Sequence, residues 1–147
     1  MDEPGYRDGM TEPPVHTIVV GLSDSPGSAR ALEWSVQLAR ATGARVVAVH
    51  VLTYGRELAR DFSLDTMRNW RVELREAVEG WAEPLRTAGI EHRCRIVEAD
   101  SNAQGLLDTA TGEGADMVVV GSRAFRLAHH ASLPVVVVPA AWQAAVA

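Results

Sequence analysis

The stretch Thr17-Ile-Val-Val-Gly-Leu-Ser-Asp-Ser-Pro26 joins a continuous apolar run to a helix-start signal. An uninterrupted run of this kind suits a strand covered on both faces, as in a parallel sheet; a half-solvated strand would alternate. Ser25 then reads as an N-cap. Pro26 takes the first helical position, where a missing N–H removes no helical bond. Strand passes into helix within a few residues, which sets the α/β class.

The same alternation continues outward. Ala31, Leu32, Trp34, Ser35, Leu38 and Ala39 recur at helical spacing, and Gly43 closes that helix. Arg45 to Leu52 is a second buried strand. After a loop through Gly55, a long helix is predicted from about Ser63 to Ala88, with the stripe Leu64, Met67, Trp70, Leu74, Ala77, Trp81 and Leu85. A third strand, about Glu91 to Ala99, carries charges on both faces and suits a sheet edge. A short helix over about Asn102 to Glu113 follows, then a strand over Ala115 to Gly121. Another short helix covers roughly Ala124 to His130, and the last strand runs from Pro134 to Pro139. Right-handed crossovers then favour a doubly wound parallel five-stranded sheet of order 3-2-1-4-5, a Rossmann-like three-layer sandwich. Residues 1–15, rich in Pro and Gly, read as a flexible leader, 16–140 as the domain and 141–147 as a C-terminal tail.

Composition narrows the function classes. A net charge of −5 argues against a nucleic-acid or anionic-membrane partner, because either needs a basic surface. All 14 basic residues are arginine, so every mechanism that needs a lysine amine is excluded. The single cysteine, Cys94, has no partner for an internal disulfide and reads as a buried structural thiol; with no apolar secretory segment at Met1-Asp-Glu-Pro4, a cytoplasmic location is expected.

Four stretches resemble the universal stress protein family. They are Ile18-Val-Val-Gly with Ser25-Pro26 and Ala31-Leu-Glu-Trp; Val49-His-Val; Gly114-Ala-Asp-Met-Val-Val-Val-Gly-Ser-Arg123; and His130-Ala-Ser-Leu-Pro-Val-Val-Val-Val138. The resemblance implies a nucleotide-binding fold. Its ATP-binding members place spaced glycines after the fourth strand, ending in Gly-Ser or Gly-Thr, so that successive N–H groups point at the phosphates. Gly121-Ser-Arg123 begins such a motif, but Ala124 stands where the second glycine belongs and no glycine follows Gly121. Only about a dozen residues separate Gly121 from Pro134, roughly half the family's interval. ATP-binding relatives also carry an aspartate after the first strand. Here the matching position is Ser23, and the carboxylate has moved to Asp24.

Ligands in doubly wound sheets bind beyond the carboxyl ends of the strands, at the switch between strands one and four. That rule places Ser23, Asp24 and Ser25, His50 to Thr53, Asp100 and Ser101, and Gly121, Ser122 and Arg123 on the rim. Asp24, Val51, Gly121, Ser122 and Arg123 form the candidate nucleotide or anion pocket. Asp24 and Ser25 equally suit capping of the first helix, and His50 suits a packing or hydrogen-bonding role. His129 and His130, adjacent in sequence, do not make a metal pair. The expected function is a non-ATP-binding, non-enzymatic regulatory or stress-response protein with no cofactor. It would act as a homodimer through the edge strand Val135 to Val138 and through protein contacts. One alternative is a degenerate binder of AMP or a small anion. A second is a small enzyme using His50 or Asp24 for proton transfer.

Overall fold

The computed structural model describes residues 15–53 and 64–145. The leader before Val15, the loop through Gly55, Ser63, and the side chains of Leu64 and Met67 lie outside the described residues. In chain order the elements are β1 (Thr17–Gly21), α1 (Pro26–Thr42), β2 (Arg45–Thr53), α2 (Leu64–Trp81), α3 (Glu83–Thr87), β3 (His92–Ala99), α4 (Asn102–Gly112), β4 (Met117–Gly121), a 3₁₀ helix (Ser122–His130) and β5 (Val135–Val138). All strand pairings are parallel and the order is β3-β2-β1-β4-β5, as the sequence predicts.

Strand parity sorts the core into two layers. Ile18, Val20, Val46, Ala48, Val119 and Val138 face one side, where Leu32 and Val36 of α1, Val78 of α2 and Leu85 of α3 cover them. Val19, Val47, Val49, Val118 and Val120 face the other side, under Leu106 and Ala110 of α4 and Leu127 of the 3₁₀ helix. Two buried faces explain why the strands read as continuous apolar runs. Each fully buried Val or Leu contributes roughly 1.5–3 kcal/mol, so the central strands hold much of the stability. No described helix is long and apolar enough to cross a membrane.

Four local expectations change. The predicted long helix breaks after Trp81, and α3 starts with Pro84 in its first turn. A proline inside a continuous helix would lose its own bond and crowd the carbonyl four residues earlier. The predicted last helix is a 3₁₀ segment that starts at Ser122 and kinks at Ala124. Trp142, assigned to the tail, packs against the α1-side core, and its N–H donates to Pro139 O at 3.0 Å. Cys94 is half-buried; desolvation pushes its thiol up, and the nearby Glu79 carboxylate adds to the effect.

Two polar ties lock the layers at the amino ends of the strands. Asp116, just before β4, accepts the His16 N–H at 2.7 Å and the Thr17 N–H at 3.0 Å, which fixes where β1 starts beside β4. Those two donors hold its carboxyl below the ordinary aspartate range. Glu113, at the end of α4, gathers three arginines. Arg95 Nη1 donates to Oε1 at 3.2 Å, Arg93 donates to the same oxygen, and Arg45 Nη2 lies 3.5 Å from Oε2. Arg45 Nε also donates to Thr17 Oγ1 at 3.0 Å. The Glu113 side chain is only 9% exposed, so edge strand β3 is riveted to α4 through a well-covered carboxylate.

Glu113→Gln removes the charge that three guanidiniums share and should cost about 1–3 kcal/mol in urea unfolding. Removing the half-exposed Glu33 partner of Arg30 should cost less than about 1 kcal/mol. The Asp116 contribution has the sign of a depressed carboxyl. It is fully present above the unfolded aspartate pKa and is lost as pH falls through the lower folded value. Stability curves of wild type and Asp116→Asn should therefore converge as the pH is lowered through the carboxylate range.

Candidate functional site

The carboxyl ends of all five strands lie along one rim, and its central point is the switch between β1 and β4. β1 leaves the sheet there through Leu22 and turns into α1 over Ser23, Asp24 and Ser25. Serine hydroxyls knit this turn. Ser25 is the N-cap, its Oγ accepting the Ser28 N–H at 3.2 Å. Ser28 Oγ in turn accepts the Ser23 N–H at 2.8 Å and donates to Gly21 O at 3.1 Å. Ser23 Oγ and Ser25 Oγ share a hydrogen bond of 2.9 Å. The turn therefore satisfies its own polar groups, and the capping role falls to Ser25. Asp24 is exposed and makes no hydrogen bond with a described residue.

Opposite this turn, β4 ends at Gly121 in direct contact with the first turn of α1. A Cβ built on Gly121 would lie 2.8 Å from the Gly27 carbonyl carbon and 2.9 Å from its oxygen. A Cβ on Gly27 would meet only Gly121 Cα, at 3.9 Å. Two side-chain-free backbones thus touch at the switch point, where doubly wound folds usually open a crevice. Ser122 and Arg123 follow directly and are both exposed; Arg123 pairs with no described carboxylate.

The remaining predicted residues lie apart from that junction. The Val51 side chain is 8% exposed and sits under α4, its methyls 2.7 and 2.8 Å from where a Cβ on Gly105 would fall. His50 faces the other layer. Its Nδ1 bonds Leu22 O at 2.8 Å, which requires the proton on Nδ1 because a carbonyl only accepts. The ring meets Trp81 edge-on, with centroids 5.4 Å apart. His50 is thus a tether between β2 and the start of the turn, the packing and hydrogen-bonding role expected of it. Ser101 caps α4, accepting the Gln104 N–H at 3.1 Å, while Asp100 is exposed. The structure brings Gly121 against the first turn of α1, with Ser122 and Arg123 following it in the chain and Val51 buried under α4.

Between Gly121 and β5 the chain has little freedom. The 3₁₀ helix buries Leu127 against β4 and α4 and packs Ala124 on the same cluster. Four residues, Ala131 to Pro134, then lead into β5. β5 is the sheet edge opposite β3; Val138 is buried, while Val137 is 37% exposed. Among the described residues no group of three or more metal-ligating side chains gathers. Sequence reasoning missed the Gly27–Gly121 contact. Its only trace was a glycine in the first turn of a helix, directly after a proline.

A sequence model of the universal stress protein family matches residues 14–139. Among solved structures, a universal stress protein family member from Burkholderia pseudomallei is 29% identical; the match covers 86% of this chain and 97% of that one, with a TM-score of 0.72. The universal stress protein of Archaeoglobus fulgidus in complex with dAMP is 23% identical over 84% of this chain and 97% of that one, at a TM-score of 0.66. An Arabidopsis thaliana family protein with AMP bound is 19% identical over 84% and 91%, at 0.63. No curated protein sequence matches the chain.

Gly121→Ala should push the β4 end and α1 apart and destabilise by on the order of 1–3 kcal/mol in thermal melts. Gly27→Ala, with open space for its methyl, should be neutral or mildly stabilising.

Proposed function

The chain belongs to the universal stress protein family, and we propose that within it this protein is a regulatory member that does not bind ATP. In this reading it works through dimerisation and protein contacts. The observation that carries the proposal is the connection from Gly121 to Val135. It holds no glycine, it is wound as a 3₁₀ helix, and Leu127 anchors it in the core. A triphosphate cradle needs several backbone N–H groups free to converge on one point. Here the segment is committed to helical turns, and Gly121 lies against Gly27. The displaced carboxylate at Asp24 points the same way.

What supports a dimer is β5, which among the described residues lies at the edge of the sheet with one neighbouring strand and an exposed Val137. A second copy paired antiparallel over Val135 to Val138 closes both edges through one twofold contact.

A second reading keeps a nucleotide with a single phosphate at Asp24, Val51, Gly121, Ser122 and Arg123. Three solved members favour it, being complexes with cAMP, dAMP and AMP. One phosphate needs fewer donors than three, and Arg123 is exposed beside Ser122 with no described ion-pair partner.

Isothermal titration calorimetry with ATP, AMP and cAMP separates the readings. No saturable heat with ATP is expected, and sedimentation should show a dimer at micromolar concentration. Micromolar AMP or cAMP binding that disappears in Arg123→Ala would establish the second reading. ATP binding, or a monomer throughout, would retire the first.

A further inference from the structure

The 3₁₀ helix that replaces the long connection has an outer surface of its own. A 3₁₀ helix repeats every three residues, so side chains three apart lie above one another. Ala124 and Leu127 form the inner row, packed on the α4-side core. Beyond the kink at Ala124, Arg126 and His129 stand three apart on another row, Arg123 lies just before the kink, and all three are exposed. Beside them Phe125 is 52% exposed, and the Arg126 guanidinium lies 5.8 Å from its ring centroid. No acidic residue follows Asp116 in the sequence. None of the three ridge side chains pairs with a described carboxylate. In a chain of net charge −5, this is a basic, aromatic-flanked strip that no described carboxylate neutralises.

We infer that the strip of Arg123, Arg126 and His129, with Phe125 at its flank, is a docking surface for an extended acidic segment of a partner protein. This rests on the reading that the protein acts through protein contacts. Spacing selects an extended partner. Three residues of 3₁₀ helix advance about 6 Å, and alternate residues of an extended chain lie roughly 6.6–6.8 Å apart. Carboxylates at every second position of such a segment therefore match the step from Arg126 to His129, while Arg123 stands across the kink at Ala124. Arginine forks bind carboxylates in two-point contacts, and Phe125 offers apolar surface to whatever separates the acids. A nucleic acid fits less well, because the rest of the chain would repel a long polyanion.

The probe is a short fluorescein-labelled peptide alternating glutamate and serine, titrated with the full chain at low salt and read by fluorescence anisotropy. Saturable binding is expected, weakened about tenfold or more by Arg126→Glu and measurably by Arg126→Gln. Arg40→Glu, an exposed change on α1, should leave it unaltered. Arg126 lies outside the candidate nucleotide pocket, and melting curves confirm that each variant is folded. Absence of binding by wild type overturns the inference, as does an equal loss in Arg40→Glu. So does equal affinity for a peptide whose glutamates are consecutive, or tighter binding of a single-stranded oligonucleotide. A dimer that ignores both ATP and the peptide retires this surface and leaves the proposed function standing.

Discussion

The contact on which the site depends is the meeting of two glycines. Gly121 ends the strand next to the sheet's midline, Gly27 sits in the first turn of the helix from the neighbouring strand, and the space between them admits no methyl on Gly121. In a doubly wound sheet the helices after β1 and β4 leave on opposite faces, and the rim between them normally gapes. Here backbone fills the gap. Neither segment can swing toward a ligand without opening that junction. The serine turn on one side and the 3₁₀ helix on the other are braced against it.

Polar economy at the same rim points in the same direction. Ser23, Ser25 and Ser28 exchange hydrogen bonds among themselves and with the backbone. A loop built to receive a ligand usually leaves some donors waiting, because buried partners add most when the ligand completes them. The α1 turn leaves few. What remains open is Asp24 on one side and Ser122 with Arg123 on the other, all at the surface.

Most of the architecture was legible because it is local. Continuous apolar runs announced parallel strands, Ser25-Pro26 announced a helix start, and Gly43, at φ 76°, announced a helix end. The errors came from competition that pattern alone does not resolve. The stripe through Trp70, Leu74 and Trp81 continues in register past Pro84, so periodicity concealed the break that proline chemistry demands. The last helix was placed from Ala124, but it begins two residues earlier at Ser122 and is 3₁₀ with a kink at Ala124. The Glu113 cluster joins residues 18, 20 and 68 positions apart, and long arginine side chains leave no periodic mark. Sequence reasoning put Gly121 and the Ser23 to Ser25 turn on one rim of the sheet, and the fold places them there. That β4 and α1 touch there depends on a distance between elements, which no spacing in the sequence encodes.

The Asp116 tie has a consequence for how the molecule assembles. It closes the central pairing of β1 with β4, joining residues 99 apart in the chain. β1 can find β2 early, across one helix, but its other flank has no neighbour until the chain has been made through Asp116, 99 positions after Thr17, and on into β4. Until then the nascent sheet carries Ile18, Val19 and Val20 on an unzipped side, and loop closure of that length is slow compared with the local steps before it. The hazardous interval for this protein is therefore its synthesis, when the strand destined for the middle of the sheet is still an edge.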